Sequence, residues 1–147
     1  MGKVMKLDQV QIRKMTINDY DAAYTLWKKL SGMNLREEDD NLVEISRLLK
    51  FNPELCYVAF FNQKLIGTIM GATDGRRGKI YHLAIDKDYR GLKLAQRFLN
   101  LVSTELQKIG IRKISICVMK DNELGKKFWN HVGYQRRTDI DYLDRIL

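Results

Sequence analysis

A chain of 147 residues, 45% apolar and 30% charged, can bury one sizeable core and reads as a single soluble domain over 1–147. No apolar run approaches the roughly 20 residues of a membrane span, and the start, MGKVMKLDQVQIRKM, lacks an apolar h-region and a small-residue cleavage site, so a cytoplasmic protein is expected. The net charge of +8 is lopsided: residues 1–74 carry 10 Lys/Arg against 10 Asp/Glu, residues 75–147 carry 16 against 8. An excess confined to one half points to an anionic partner, whether nucleic acid, a membrane surface or a phosphorylated small molecule, or else to solvated lysine that keeps the protein soluble. Two isolated cysteines, Cys56 and Cys117, form neither a disulfide framework nor a zinc pattern, and no metal is expected.

QVQIRKM (9–15) alternates polar and apolar residues like a half-buried strand. Thr16, with Asp19 three residues on, resembles a capping box opening a helix to about Leu30 that buries Ala23, Leu26, Trp27 and Leu30. SGMN breaks it. The acidic EEDD (37–40) leads a second helix, where it suits the dipole, with Leu42, Ile45, Leu48 and Leu49 as the buried stripe. Asn52-Pro53 ends that helix. CYVAFF (56–61), LIGTIMGATD (65–74) and KIYHLAI (79–85) are strands joined by the short turns NQK and GRRG, which makes an antiparallel meander.

From Leu94, apolar residues at 95, 98, 99, 102, 106 and 109 form a helical stripe, and Gly110 suits the position just past its end. KISICVM (113–119) is again a strand. Strand, helix, strand over about 40 residues is a βαβ unit, so strands 79–85 and 113–119 should be parallel. A short helix over about 122–131 follows, and Gly133 starts a last strand at Tyr134. The class is α/β (α+β): a mixed, mostly antiparallel central sheet with one parallel βαβ unit.

The stretch DYRGLKLAQRFL (88–99) places Arg90 and Gly91 where a central strand hands over to a helix. A helix N-terminus aims unpaired N–H groups outward, with partial positive charge behind them. Gly91 admits a backbone conformation that a Cβ hinders, while Arg90, Lys93 and Arg97 add charge. The physical reading is a phosphate or pyrophosphate cradle.

At these residues the chain, over about 9–134, resembles the GNAT superfamily of N-acetyltransferases, small stand-alone bacterial members in particular. LAIDKDYRGLKLAQRFL resembles that family's acetyl-CoA signature, Arg/Gln-x-x-Gly-x-Gly/Ala after a strand, with Arg90 in the first position and Ala95 in the last. ISICVMKDNELGKKFWNHVGY resembles its second signature, in which Asn122, Gly133 and Tyr134 match. The resemblance implies helices on both sheet faces and parallel strands that splay. It implies acetyl transfer from acetyl-CoA to a primary amine, by direct attack in a ternary complex. The pyrophosphate is expected on N–H groups of Gly91, Leu92, Lys93, Leu94, Ala95 and Gln96. The pantetheine arm is expected to pair with the strand near Leu83, Ala84 and Ile85, where an N–H polarises the thioester carbonyl. Asn122, Lys127 and Phe128 complete the expected coenzyme contacts.

Two positions depart from the family pattern. Lys93 stands where a glycine is usual: a left-handed conformation there costs roughly 1 kcal/mol or more, whereas the helical reading of 92–95 costs nothing and sets an ammonium near phosphate. Trp129 stands where the family often has a tyrosine as general acid, and an indole N–H is no useful proton donor near neutral pH. Tyr134 or water then protonates the thiolate, and Trp129 packs beside Phe128 or takes part in the site. Strict alternation puts Tyr81, Leu83 and Ile85 on one strand face and His82 on the other, which favours Tyr81 for taking the amine proton over a packed His82. The resemblance sets the loop between the first two helices over the acceptor, where Asp39 and Asp40 can attract a cationic amine. A non-catalytic acyl-CoA sensor is the alternative, favoured by Trp129. A nucleic-acid module lacks any helix-turn-helix, zinc or aromatic RNA-binding signature. The acceptor is left open, as is the oligomeric state, a homodimer included.

Overall fold

The computed structural model describes residues 9–147. The chain forms two compact units, one running to Cys117 and one spanning Val118–Leu147. The first holds a five-stranded sheet whose spatial order follows the chain: β1 (Gln11–Lys14), β2 (Cys56–Phe61), β3 (Lys64–Thr73), β4 (Gly78–Ile85) and β5 (Ile114–Ser115). β1 to β4 are antiparallel neighbours and β4 pairs with β5 in parallel. The β2–β3 connection is a two-residue turn, Asn62 and Gln63, both at positive φ (48° and 66°), the geometry that matches strand twist in tight hairpins.

Helices cover both faces of this sheet. α1 (Tyr20–Lys29) follows a 3-10 turn, Ile17–Asp19. The Asp19 carboxylate accepts the Thr16 N–H at 2.9 Å and a two-pronged Arg13 guanidinium at 2.7 and 2.8 Å, which ties β1 to the helix start. α1 buries Ala23, Leu26 and Trp27. EEDD differs from expectation: it is a separate helical turn, α2 (Glu37–Asp40), and α3 (Leu42–Phe51) starts afresh with Asn41 as cap, its side chain accepting from the Glu44 N–H. The new start rotates the buried stripe, so Ile45 and Leu49 are buried while Leu42 is 52% exposed. α1 and α3 supply Trp27, Leu26, Ile45 and Leu49 to a core shared with Cys56, Val58, Met70 and Ala84 of the sheet.

The opposite face carries α4 (Leu94–Lys108), which buries Leu94, Phe98, Leu99, Val102 and Leu106. A Cβ on Gly71 of β3 would stand 2.8 Å from Val102 and 2.9 Å from the Leu55 carbonyl, so the glycine is what lets this helix lie close on the sheet. Ile109 leaves the stripe and is 61% exposed, because the helix ends before it. Gly110 (φ 86°) turns left-handed, the Gly110 N–H reaches the Gln107 carbonyl, and the Ile111 N–H reaches that of Leu106. Ile111 takes the buried place instead.

The strand expected over 113–119 shrinks to β5, whose ladder with β4 holds only Gly78↔Ile114 and Lys79↔Ser115. The two strands part there, which is the divergence implied by the resemblance.

The second unit is built on α5 (Glu123–His131). Asn122 caps it, accepting the Gly125 N–H at 2.9 Å. Its C-terminus repeats the turn after α4: Gly133 (φ 102°) with Gly133 N–H to the Asn130 carbonyl and Tyr134 N–H to that of Trp129. The last strand expected from Tyr134 does not form. Residues 135–147 have no regular structure and are exposed. A strand needs a neighbouring strand to pair its backbone, and the sheet of the described residues ends at β5.

Candidate active site

β4 carries a bulge. Tyr81 faces Met70 and Ala84 faces Thr68, so His82 and Leu83 together oppose the one β3 residue between them, Ile69. His82 sits at φ 48°, a left-handed conformation that costs a non-glycine residue about 1–2 kcal/mol. The bulge corrects the expected facing. Tyr81 and Ala84 share the face of Thr68 and Met70, while Ile80 and Ile85 share the α4 face with Gly71 and Gly67. Tyr81, Leu83 and Ile85 are therefore not one row.

His82 is fixed on several sides. Its carbonyl accepts the Thr68 hydroxyl at 2.8 Å, and that hydroxyl accepts the Trp27 indole N–H at 2.9 Å. The ring meets Trp27 edge-on, centroids 4.5 Å apart, and Nε2 lies 2.6 Å from Asp40 Oδ1. Asp40 is buried, with its other oxygen taken by the Arg36 N–H at 2.8 Å. Burial opposes ionisation of Asp40, but the hydrogen bonds from His82 and the Arg36 N–H outweigh it and hold the carboxyl below its usual range. Of the two aspartates expected near the acceptor, Asp39 alone presents its charge to solvent.

Past β4, the buried Asp86 shapes the corner. It accepts the Asp88 N–H at 3.0 Å and faces the ammonium groups of Lys29 (3.3 Å) and Lys64 (3.6 Å). Burial works against its charge, and the amide and lysines more than offset this, so its pKa is lowered. Sequence reasoning missed Asp86; the signal was an aspartate two residues before another polar residue at a strand end. Gly91 follows at φ 87°, where a Cβ would meet nothing within 4 Å, so glycine is required there by torsion and not by space.

Lys93 overturns the helical expectation. It is left-handed (φ 58°, ψ 24°) and stands just outside α4, at a cost of about 1–2 kcal/mol. The first helical bond runs from the Arg97 N–H to the Lys93 carbonyl, so the amides of Leu94, Ala95 and Gln96 have no acceptor within the helix. No side chain of the described residues caps them and no acidic residue stands in the first turn. Arg90, Lys93 and Arg97 are exposed around them. The Leu94 side chain itself is core; what it offers a ligand is its N–H. On the β5 side, β4 has no ladder partner beyond Lys79 among the described residues, so there the strand from Ile80 through Leu83, Ala84 and Ile85 keeps an open edge.

In the second unit, Trp129 packs edge-on against Phe128 (5.2 Å) and Tyr134 (4.8 Å). The Trp129–Tyr134 contact joins the two residues whose backbone bond closes the helix end, a usual partner of that turn. Burial pushes the Tyr134 phenol up. Lys127 is exposed, and the Asn122 carbonyl oxygen is spent on its cap. The expected residues thus fall into two groups: 81–96 in the first unit, and Asn122, Lys127, Phe128, Trp129 and Tyr134 in the second.

A sequence profile of the Acetyltransferase (GNAT) family matches residues 16–134. An acetyltransferase of Pectobacterium atrosepticum, ECA0875, is 33% identical over 138 residues, which cover 94% of this chain and 96% of that protein. The PaiA N-acetyltransferase of Thermoplasma acidophilum, solved in complex with coenzyme A, shares the fold at a TM-score of 0.78 and 20% identity, over 90% of this chain and 92% of that one. Ard1 of Thermoplasma volcanium does so at 0.74 and 17%, over 85% and 82%. The chain belongs to the GNAT family and is an acetyltransferase.

Proposed function

We propose that this enzyme moves an acetyl group from acetyl-CoA to a primary amine by direct attack in a ternary complex. The observation that carries the reading is the uncapped first turn of α4, with three free amides and three exposed cations, at the end of a strand whose edge is open. Gly91, Leu92, Lys93, Leu94, Ala95 and Gln96 would hold the pyrophosphate, with Arg90 and Arg97 beside it. Leu83, Ala84 and Ile85 would pair with the amides of the pantetheine arm as an added strand. Asn122, Lys127 and Phe128 would contribute further coenzyme contacts.

When bound, acetyl-CoA supplies an activated acyl thioester. The chain supplies position and proton handling. A β4 backbone N–H near Leu83 stabilises negative charge developing on the acyl oxygen. Tyr134, protonated at neutral pH, serves as proton donor to the leaving sulfur, a role an indole at position 129 does not fill. Asp39 draws a cationic acceptor. Thiol release from acetyl-CoA across a panel of primary amines tests the reading. Turnover that falls at least tenfold in Arg90→Ala supports it; coenzyme binding without turnover of any amine favours a sensor.

A further inference from the structure

We propose that His82 is the base that takes the proton from the acceptor ammonium, and that Asp40 is its positioning residue. The proposal rests on the acetyl-transfer reading above. His82 lies in β4 three residues past the last rung shared with β5, beside Leu83 on the open edge. Its left-handed backbone is held by Thr68, its ring by Trp27 and its Nε2 by Asp40. A strained conformation fixed on three sides keeps one ring orientation.

The tautomer follows from the partner. Asp40 is ionised at neutral pH and only accepts, so Nε2 turns its hydrogen toward the carboxylate and Nδ1 is the ring nitrogen left for proton exchange. The His82 side chain is 14% exposed. Asp40 takes Nε2, so Nδ1 is the nitrogen of this partly exposed ring that is offered to an acceptor. The groups facing the dyad are Trp27 from α1, Thr68 from β3, and Tyr20, whose hydroxyl donates to the Asp40 carbonyl at 2.7 Å. The carboxylate is thus in place before any substrate arrives.

One proton leaves the ammonium for Nδ1, and the imidazolium is held by Asp40. The freed nitrogen pair forms the C–N bond to the acetyl carbon. The C–S bond breaks with its electron pair on sulfur, Tyr134 gives its hydroxyl proton to that sulfur and is reprotonated by the second nitrogen-bound proton, and His82 returns its proton to water.

Two measurements test this on the full chain. Ring nitrogen NMR of histidine-labelled protein, with His82 assigned through His82→Gln, should show a hydrogen on Nε2; a bare Nε2 overturns the proposal. In kinetics, His82→Gln should lower kcat about 100-fold or more, with coenzyme A affinity by calorimetry within threefold of wild type. Asp40→Asn should lower kcat about tenfold, and Asp40→Glu should recover part of the loss. The His82→Gln defect should shrink below tenfold with hydroxylamine, whose nitrogen is already neutral at pH 7.5; a purely structural role would depress both acceptors alike. Intact alkylamine turnover in a folded His82→Gln sinks this proposal alone. A wild-type chain that acetylates no amine sinks the acetyl-transfer reading and takes the proposal with it.

Discussion

The indole N–H of Trp27 donates to the Thr68 hydroxyl at 2.9 Å, wholly inside the protein. That hydroxyl donates onward to the His82 carbonyl, so one side chain joins α1 to the bulge in β4. Thr68→Val keeps the shape and strands both partners. It should cost about 1–3 kcal/mol, read as a lower urea midpoint at unchanged slope. An unchanged midpoint would mean the chain of bonds contributes nothing to the fold.

Lys93 stores strain next to the proposed anion cradle. Lys93→Gly should raise stability by about 0.5–1 kcal/mol, the left-handed penalty less the extra freedom of an unfolded glycine. The same change removes an ammonium, so coenzyme A affinity should fall a few-fold. Lys93→Asn, tolerant of the same φ and uncharged, should match the loss of affinity. Thermal unfolding and calorimetry separate the two effects.

Much of this fold was legible because local chemistry and tertiary need agree. CYVAFF occupies β2 without a residue's difference, and Asn122 and Gly133 bracket α5 as read. The turn before α4 was visible in Arg90 and Gly91. What stayed hidden depends on neighbours. No residue type marks the bulge at His82, which lies opposite Ile69 and is held by Trp27, Thr68 and Asp40; strict alternation therefore misassigned the faces of Tyr81 and Ile85. Lys93 has no propensity for a left-handed turn, and its conformation is imposed by the strand end and by Leu94 reaching the core. EEDD carries helix-start chemistry, but Asn41 is the stronger cap and divides it from α3.

Asp19 should set part of the acid limit of stability. Burial raises its pKa, yet the Arg13 and Thr16 hydrogen bonds outweigh that and leave it lowered. Such a group's contribution is complete above its unfolded value, near 3.9, and is lost as pH falls through the lower folded value. Asp19→Asn should therefore cost about 1–2 kcal/mol at pH 7, discounted for the half-exposed Arg13, and should flatten the fall in stability below about pH 4. Urea melts of both proteins from pH 7 to pH 2.5 measure it; parallel curves would contradict the assignment.

Tyr134→Phe keeps the ring against Trp129 and removes the hydroxyl. Because burial pushes the phenol up, the donor form is present throughout neutral pH. The variant should lose about 10- to 100-fold in kcat with little change in coenzyme KM. Trp129→Phe should retain most turnover. Equal kcat in wild type and Tyr134→Phe would assign the proton to water.

The proposed chemistry depends first on the amides at the start of α4, and backbone NMR during titration with coenzyme A observes them directly. The N–H resonances of Leu94, Ala95 and Gln96 should move most, together with those along β4 from His82 to Ile85. Saturable binding that leaves these amides in place, or no binding by a folded chain, would contradict the cradle and the transfer built on it.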